Sequence, residues 1–263
     1  MKKAFIVSIL LITLLFSGFV FVQAKPAQPK QGSEEYTIPE QDGTYNVPGR
    51  PDIKVRVFVH NPKVKPGPTV SPSLICSADP DSGAVVDPTG WKLPSTWTYN
   101  LNSNSVPNSV GSSTLSNIAQ LAFGVWSGAS KGKVIFIAGL PTTATQAKLD
   151  GKNIITWGKA PGSALAVTYI WYKLSGAVVE VDTIMNQKFS WSWTNQTISP
   201  NCADANSYDA QDILTHELGH WMGLDDEYKS TYANNTMYGY GYKGEVKKDT
   251  PATGDISGIN KIY

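Results

Sequence analysis

The stretch THELGHWMGLDDEY, residues 215–228, places His216 and His220 four positions apart. In an α-helix, residues at i and i+4 lie on the same face, so both imidazoles can reach one metal ion. Zinc binds imidazole nitrogen at about 2.0–2.1 Å and usually takes four ligands. The pattern therefore predicts a helix that carries two zinc ligands, with Glu217 as a candidate general base beside the first of them.

The residues that follow the second histidine decide how the site is completed. Gly223 can adopt the left-handed conformation that ends a helix and turns the chain back toward the metal. Asp226 stands at the offset where the pattern H-E-x-x-H-x-x-G-x-x places a third ligand, and carboxylate oxygen binds zinc at about 2.0–2.2 Å. The chain has three histidines, and the one that is not in this stretch, His60, lies in a proline-rich segment before the domain. We therefore expect Asp226 to be the third ligand, with Asp225 as the alternative.

The N-terminus reads MKKAFIVSILLITLLFSGFVFVQA, with two lysines, an apolar run and small residues before Ala24. This order is typical of a secretory signal peptide that is cleaved after Ala24. Residues 1–24 are therefore predicted to be removed and the protein to be secreted, without membrane attachment. An uncleaved anchor is the alternative, because the apolar run approaches the length of a membrane span.

The composition describes a folded protein with a balanced charge. Hydrophobic residues make up 41% of the chain, which is enough for a packed core and argues against disorder throughout. The formal net charge is +1, so there is no electrostatic reason to expect nucleic acid as a partner. We expect a monomer.

Residues 25–90 are predicted to be a pro-segment or N-terminal extension, because segments such as NPKVKPGPTVSP cannot sustain a helix or a central strand. One alternating run, IKVRVFVH at 53–60, is typical of a short strand that could pair with an edge of the main domain. Cys76 and Cys202 form an even pair in an exported chain, which favours a disulfide. The alternative is that Cys76 covers the zinc as a thiolate in a latent form.

Residues 91–263 have the size and texture of one domain. A helix capped by Ser112 or Ser113 should follow a first strand, and a second helix should run over 209–222 with Asp209 as N-cap. A third helix is expected near the C-terminus. The predicted strands are TWTYNL (96–101), VIFIAGL (134–140), NIITWG (153–158), ALAVTYIWY (164–172) and VVEVDTIMN (178–186). This order indicates one sheet with a crossover helix and a hairpin at its edge.

HELGHWMGLDDEY, Met237 within NNTMYGYGY and the closing GDISGINKIY together resemble a metzincin zinc endopeptidase of the matrixin-like group over residues 91–263. The resemblance implies an α/β fold of the α+β zincin type. It implies a twisted, mostly parallel five-strand sheet with an antiparallel edge strand, an active-site helix, a methionine turn and a C-terminal helix. The edge strand would be ALAVTYIWY, and its free edge could bind an extended protein or peptide substrate as an added strand.

By this resemblance, His216 and His220 bind a catalytic Zn²⁺ ion and Glu217 acts as general base and acid. Met237 would form the floor beneath the metal. The implied activity is that of a secreted zinc-dependent endopeptidase, which hydrolyses peptide bonds by a zinc-bound water. Matrixins have histidine as third ligand, whereas Asp226 is similar to the third ligand of snapalysin-type metzincins. The alternative is a secreted binding or adhesion module that keeps the fold without catalysis.

Two further predictions concern the surroundings of the metal. Tyr238 and Tyr240 follow the methionine, and a phenol there could donate to a developing oxyanion or form a pocket wall. Calcium is the second possible cofactor, because this family often uses it. The candidate ligands are the acids Asp150, Asp182 and Asp204, although no calcium loop of recognisable spacing is present.

Overall fold

The structure, a computed structural model, describes residues 36–63 and 74–263, and the predicted signal peptide lies outside them. The helices are α1 (Leu115–Ala129), α2 (Ala210–Trp221) and α3 (Thr253–Ile262). The strands are β1 (Gly43–Val47), β2 (Arg50–Pro62), β3 (Leu74–Cys76), β4 (Thr96–Leu101), β5 (Ile135–Ala138), β6 (Ile154–Gly158), β7 (Ala166–Lys173), β8 (Val178–Asn186), β9 (Trp191–Ser192), β10 (Cys202–Asp204), β11 (Tyr208–Asp209) and β12 (Tyr240–Gly241). No helix among the described residues is long and apolar enough to cross a membrane.

The central sheet contains the five predicted strands in the order β5-β4-β6-β8-β7. β4 is parallel to both β5 and β6, and β6 is parallel to β8. β7 runs antiparallel to β8, to which it is joined by the hairpin at Ser175 and Gly176. The predicted mixed fold, with one antiparallel strand beyond four parallel ones, is confirmed.

Helices α1 and α2 pack together over the buried core, and two tryptophan indoles fix α2 in place. Trp126 of α1 donates its indole N–H to the carbonyl of Thr215 at 2.7 Å, and Trp221 donates to Thr183 of β8 at 2.9 Å. Asp209 caps α2 as predicted, because its carboxylate accepts the N–H groups of the second and third helical residues. The predicted serine cap of α1 is wrong, since a 3₁₀ turn over residues 112–114 precedes that helix without a side-chain cap.

Strand β2 extends the central sheet, so the predicted free edge of ALAVTYIWY is covered. β2 pairs antiparallel with β7 from Ile53 opposite Lys173 to His60 opposite Ala166. β1 pairs antiparallel with the other edge of β2. Residues from 37 onward pack as one unit with the rest of the chain, although the assignment of residues 25–90 as a pro-segment or extension stays a prediction. The strand predicted at 53–60 is therefore part of β2, and it pairs with β7, the edge that was predicted to bind substrate.

The predicted disulfide is present between Cys76 and Cys202. The two cysteines are directly opposite each other in the antiparallel pair of β3 and β10. A latency role for a Cys76 thiolate is therefore wrong for this structure, because its sulfur is bonded to Cys202 and is not at the histidines of α2.

The C-terminal helix α3 supports the turn that contains Met237. Asp255 of α3 is fully buried, and its carboxylate accepts the backbone N–H groups of Thr236, Met237 and Ala252 at 2.9–3.1 Å. A carboxylate with three such donors fixes the backbone around it. The methionine turn is thus held beneath α2 from the last helix of the chain.

Candidate metal centre

His216 and His220 lie one turn apart on α2 with their Nε2 atoms directed to the same side. Nδ1 of His216 is 2.8 Å from the carbonyl of Thr236, and Nδ1 of His220 is 2.9 Å from that of Leu224. A carbonyl can only accept, so each Nδ1 carries the proton and each Nε2 has a free lone pair. Burial lowers the pKa of His220 to about 3 and that of His216 well below its ordinary value. Both rings are therefore neutral, as metal ligands must be.

The turn after α2 brings Asp226 to the two histidines. Gly223 has φ +97°, and a Cβ there would lie 2.5 Å from the carbonyl oxygen of Trp91, so only glycine fits this exit. Oδ1 of Asp226 is 3.2 Å from Nε2 of His216 and 3.7 Å from Nε2 of His220. Ligands bound tetrahedrally at zinc distances are about 3.4 Å apart. The spacing of the three atoms fits one zinc ion.

Hydrogen bonding separates Asp226 from its neighbour Asp225. Oδ1 of Asp225 accepts the backbone N–H of Asp226 at 2.9 Å and faces the Arg56 guanidinium at 3.9 Å. Oδ2 of Asp226 accepts the hydroxyl of Tyr228 at 3.2 Å, which leaves Oδ1 for the histidines. Tyr228, which the sequence did not single out, thus orients the candidate ligand in the way that groups around metal ligands do.

The three converging atoms are buried and have no hydrogen-bond partner: Nε2 of His216, Nε2 of His220 and Oδ1 of Asp226. Three acceptors that face each other repel, and buried polar atoms without partners are costly. A cation between them removes both penalties. Within residues 36–63 and 74–263, groups of three or more potential ligand side chains occur only here and at the adjoining set around Glu217.

Glu217 is completely buried, and its side chain is directed at strands β7 and β8. Its Oε2 accepts the hydroxyl of Thr168 at 2.6 Å, and Thr168 in turn is 2.7 Å from Thr183. Burial raises the pKa of Glu217 to about 8, against the hydrogen bond from Thr168, which lowers it. Thr168 thus holds the carboxylate by Oε2, and Oε1 is 3.1 Å from Nδ1 of His60.

Met237 lies directly beneath the metal centre. It is fully buried, and a Cβ at Gly219 would be 2.2 Å from its sulfur. Gly219 is therefore required for this close packing of the methionine against α2. The role of Met237 as the floor of the site stays a prediction.

His60, which the sequence placed outside the site, contacts the catalytic candidate directly. Its Nδ1 is 3.1 Å from Oε1 of Glu217, and its ring lies 3.9 Å from the ring of His216. Phe58, two residues earlier on β2, stacks on His220 with the centroids 3.7 Å apart. His60, His216, Glu217 and His220 are all 0% exposed. Residues from before residue 91 thus contact the candidate ligands and the candidate base in this structure.

Lys248 also reaches the site and was missed by sequence reasoning. It is 0% exposed, and its Nζ donates to the carbonyl of Tyr238 and lies 3.3 Å from Nε2 of His60. Burial lowers the pKa of Lys248, and the nearby Glu245 and Asp212 oppose that shift. Its neighbourhood, KGEVKKD, has no periodic pattern that would have marked a buried lysine.

The two tyrosines after Met237 line the cleft beside β2. β12 begins at Tyr240 and pairs in parallel with Asn61 and Pro62 of β2. The Tyr238 hydroxyl is 3.5 Å from Nζ of Lys63, which also lies over the Tyr240 ring at 4.5 Å. These contacts agree with a pocket wall, and an oxyanion role for either hydroxyl stays a prediction.

The acids considered for calcium do not converge. Asp182 accepts the backbone N–H groups of Lys148 and Ile154, and Asp150 and Asp204 each accept one N–H of a nearby residue. Calcium has no support from these contacts.

The site has the composition of a zinc peptidase site. It contains two histidines one helical turn apart, a converging carboxylate and an adjacent buried glutamate. The model of the matrixin family of peptidases matches residues 90–263, so the chain belongs to the matrixin family. No curated protein matches the chain well enough to be counted as a relative. Membership implies a catalytic zinc and metallopeptidase chemistry, which the residues of the metal centre fit.

Proposed function

We propose that the protein is a secreted zinc-dependent endopeptidase in which His216, His220 and Asp226 hold the metal and Glu217 is the general base. One observation carries this proposal. Three buried, unpartnered ligand atoms converge with the spacing of a zinc site, and a buried carboxylate adjoins them. Secretion is supported by the N-terminal pattern, and the disulfide suits an oxidising compartment.

The roles of the residues follow from their contacts. Zinc, when bound, would polarise the substrate carbonyl and make water a better nucleophile. Glu217 accepts the proton of the attacking water at Oε1, while Thr168 keeps the other oxygen in place. The protonated Glu217 then delivers that proton to the leaving amide nitrogen. Met237 and Gly219 keep α2 in a fixed position during both transfers.

The substrate would bind as an added strand along β7, where β2 now lies. Because β2 occupies that edge and the catalytic groups are 0% exposed, a protein substrate cannot reach them in this arrangement. We therefore propose that the predicted pro-segment or extension has to leave β7 before hydrolysis. A cut between Lys63 and Leu74 would separate β2 from the rest of the chain.

The covered cleft is also what the alternative function would require. A secreted binding or adhesion module can keep β2 permanently in the sheet, since it needs no access to Glu217. Against this, Glu217 is an ionisable group in a fully buried position, and retaining such a residue costs stability. The two functions predict different results once β2 is free to dissociate. The peptidase should then hydrolyse a protein substrate, and the binding module should not.

The test uses the full chain with a recognition site for a specific protease placed between Lys63 and Leu74. Cutting there lowers the effective concentration of β2 at β7, because the strand is no longer tethered on that side. We expect casein cleavage to appear after the cut and to disappear with a zinc chelator. The same cut chain with Glu217→Ala is the control for contaminating proteases. Casein cleavage insensitive to both, or none at all with zinc bound, would favour the binding module.

A further inference from the structure

β2 crosses the metal centre in the position of a bound peptide. It is antiparallel to β7, with the N–H of Leu165 donating to the carbonyl of His60 at 2.7 Å. Past His60 it runs parallel to β12, and the N–H of Lys63 donates to Gly241 at 2.9 Å. The backbone therefore makes ladder hydrogen bonds on the β7 edge and with the wall strand β12.

Side-chain alternation shows which residues of β2 face the site. Phe58 lies on His220 and His60 lies on His216, while Val59 between them points to the other face. The two imidazoles would hold a metal ion between them, so the backbone from Phe58 to His60 spans the two candidate ligands. In a substrate bound in the same direction, the residue at the position of His60 would follow the cleaved bond, so the His60 side chain lies in the pocket where the side chain of that residue would lie.

The far end of that pocket is the ammonium group of Lys248. Nζ lies 3.3 Å from Nε2 of His60, and a Cβ at Gly241 would be 3.2 Å from the same nitrogen. In the part of the chain that the structure describes, no carboxylate lies within 4 Å of Nζ of Lys248, unlike Nζ of Lys247, which is 2.9 Å from Glu245. The Tyr238 carbonyl accepts one of its three N–H groups, and a buried ammonium without an ion-pair partner requires a further acceptor from whatever fills the pocket.

We infer that Lys248 is a specificity-determining residue, which selects a glutamate or glutamine side chain directly after the cleaved bond. This rests on the proposed peptidase function. Nε2 of His60 is four bonds from its Cα, and so are the terminal oxygens of glutamate and glutamine. Either oxygen can take the place of the imidazole acceptor, whereas leucine or methionine leaves the ammonium with the Tyr238 carbonyl as its one acceptor among the described residues. A site built to hydrogen-bond a substrate group rejects an analogue that lacks it.

The pocket can be tested first within the chain, without catalysis. In metal-free full-length protein, His60→Gln supplies an acceptor for Lys248 and a donor for Glu217, so we expect its unfolding midpoint within about 2 °C of the parent. His60→Leu supplies neither and should lower the midpoint by about 5 °C. In a Lys248→Met background that loss should shrink to less than half. Equal midpoints for the glutamine and leucine variants would overturn the inference, even if Lys248→Met does not fold.

The second measurement uses the protease-cut chain and three peptides that differ only in the residue after the cleaved bond. We expect kcat/KM for the glutamate and glutamine peptides to exceed that for the leucine peptide by about tenfold or more. Lys248→Met should reduce this ratio to near one. Lys247→Met, which removes the same charge at the next position, should leave the ratio unchanged.

The two proposals fail in different ways. If the cut chain cleaves the leucine peptide best, the specificity inference is wrong and the peptidase function stands. If it cleaves no peptide with zinc bound, the peptidase function is wrong, and the midpoints of the His60 variants still decide whether the pocket requires an acceptor.

Discussion

Two clusters of buried polar side chains among the described residues differ in whether their lone pairs have hydrogen-bond partners. In the metal centre, two imidazole nitrogens and one carboxylate oxygen converge without hydrogen-bond partners. In the second cluster, here called the loop-cap pair, Glu180 and Asp182 of β8 are each about 1% exposed. Every oxygen of the loop-cap pair accepts one backbone N–H, from Asp150, Gly151, Lys148 and Ile154.

The difference shows that burial and negative charge do not by themselves mark a metal site. The loop-cap pair has two carboxylates side by side, yet the amides of the loop before β6 satisfy them as a cation would elsewhere. In the metal centre, Oδ1 of Asp226 and the two Nε2 atoms have no hydrogen-bond partner. Unpartnered lone pairs at ligand spacing therefore distinguish a binding site from a structural one.

The largest expected effect is on zinc binding by Asp226. Asp226→Ala removes one of three protein ligands, so zinc content by elemental analysis should fall from about one atom per chain to near zero against a competing chelator. Asp225→Ala, whose carboxylate only accepts an N–H and faces Arg56, should retain zinc. The loss of affinity should exceed the 10- to 100-fold effect typical of groups that merely orient ligands.

Thermal unfolding gives a second readout of the same comparison. Zinc in excess should raise the unfolding midpoint of the parent and of Asp225→Ala, because it binds only the folded state. It should not do so for Asp226→Ala. Retained zinc in Asp226→Ala together with loss in Asp225→Ala would reverse the assignment of the third ligand.

Most of the metal centre could be predicted from the sequence because its parts are local. Helical periodicity places His216 and His220, one glycine ends the helix, and Asp226 follows at a fixed offset. The five strands of the central sheet were also predictable, since each has a β-branched or aromatic run between turn residues. Their boundaries shifted by only one or two residues in the structure, as at 134–140 against Ile135–Ala138.

The contact of His60 with Glu217 could not be predicted in this way, because it joins residues 157 positions apart. It depends on the register of β2 against β7, and a shift of one residue would turn His60 to the other face. One signal was present. In IKVRVFVH the face opposite the valines carries Phe58 and His60, which are aromatic and able to stack on imidazoles. Lys248 gave no such signal, since its burial follows from the folding of an irregular segment.

The second prediction concerns the loop-cap pair. Asp182→Ala leaves the buried N–H of Ile154 and the part-buried N–H of Lys148 without acceptors, so the free energy of unfolding should fall by about 3 kcal/mol. Urea unfolding measures this, and zinc content should stay at the parental level. Asp150→Ala, a change at an exposed residue of the same loop, should cost less than about 0.5 kcal/mol. Loss of zinc in Asp182→Ala would break the distinction between the clusters.

A smaller effect is expected from Tyr228, which holds Asp226 by its second oxygen. Tyr228→Phe removes one hydroxyl and keeps the ring packed near Gly239 and Tyr240. Zinc affinity, measured by competition with a chelator of known affinity, should fall about tenfold. Tyr232→Phe removes a hydroxyl from the same stretch away from Asp226 and should leave the affinity unchanged. An equal loss in both variants would mean that Tyr228 does not orient the ligand.

The smallest expected effect is on the pH dependence of stability through Glu180. Burial raises the pKa of Glu180 to about 7, from 4.5, against the two backbone hydrogen bonds that lower it. Since the folded state then holds a proton that the unfolded state releases, the contribution to stability is complete below pH 4.5 and is lost as pH rises through about 7. The residues it caps, 150 and 151, are exposed, so water screens most of the effect and about 1 kcal/mol should remain. Urea unfolding at pH 5 and pH 8 should show this fall in the parent and a smaller one in Glu180→Gln, which cannot titrate. A pH dependence unchanged by that substitution would place the proton elsewhere, and Glu180 would then be ionised throughout, held by its amides alone.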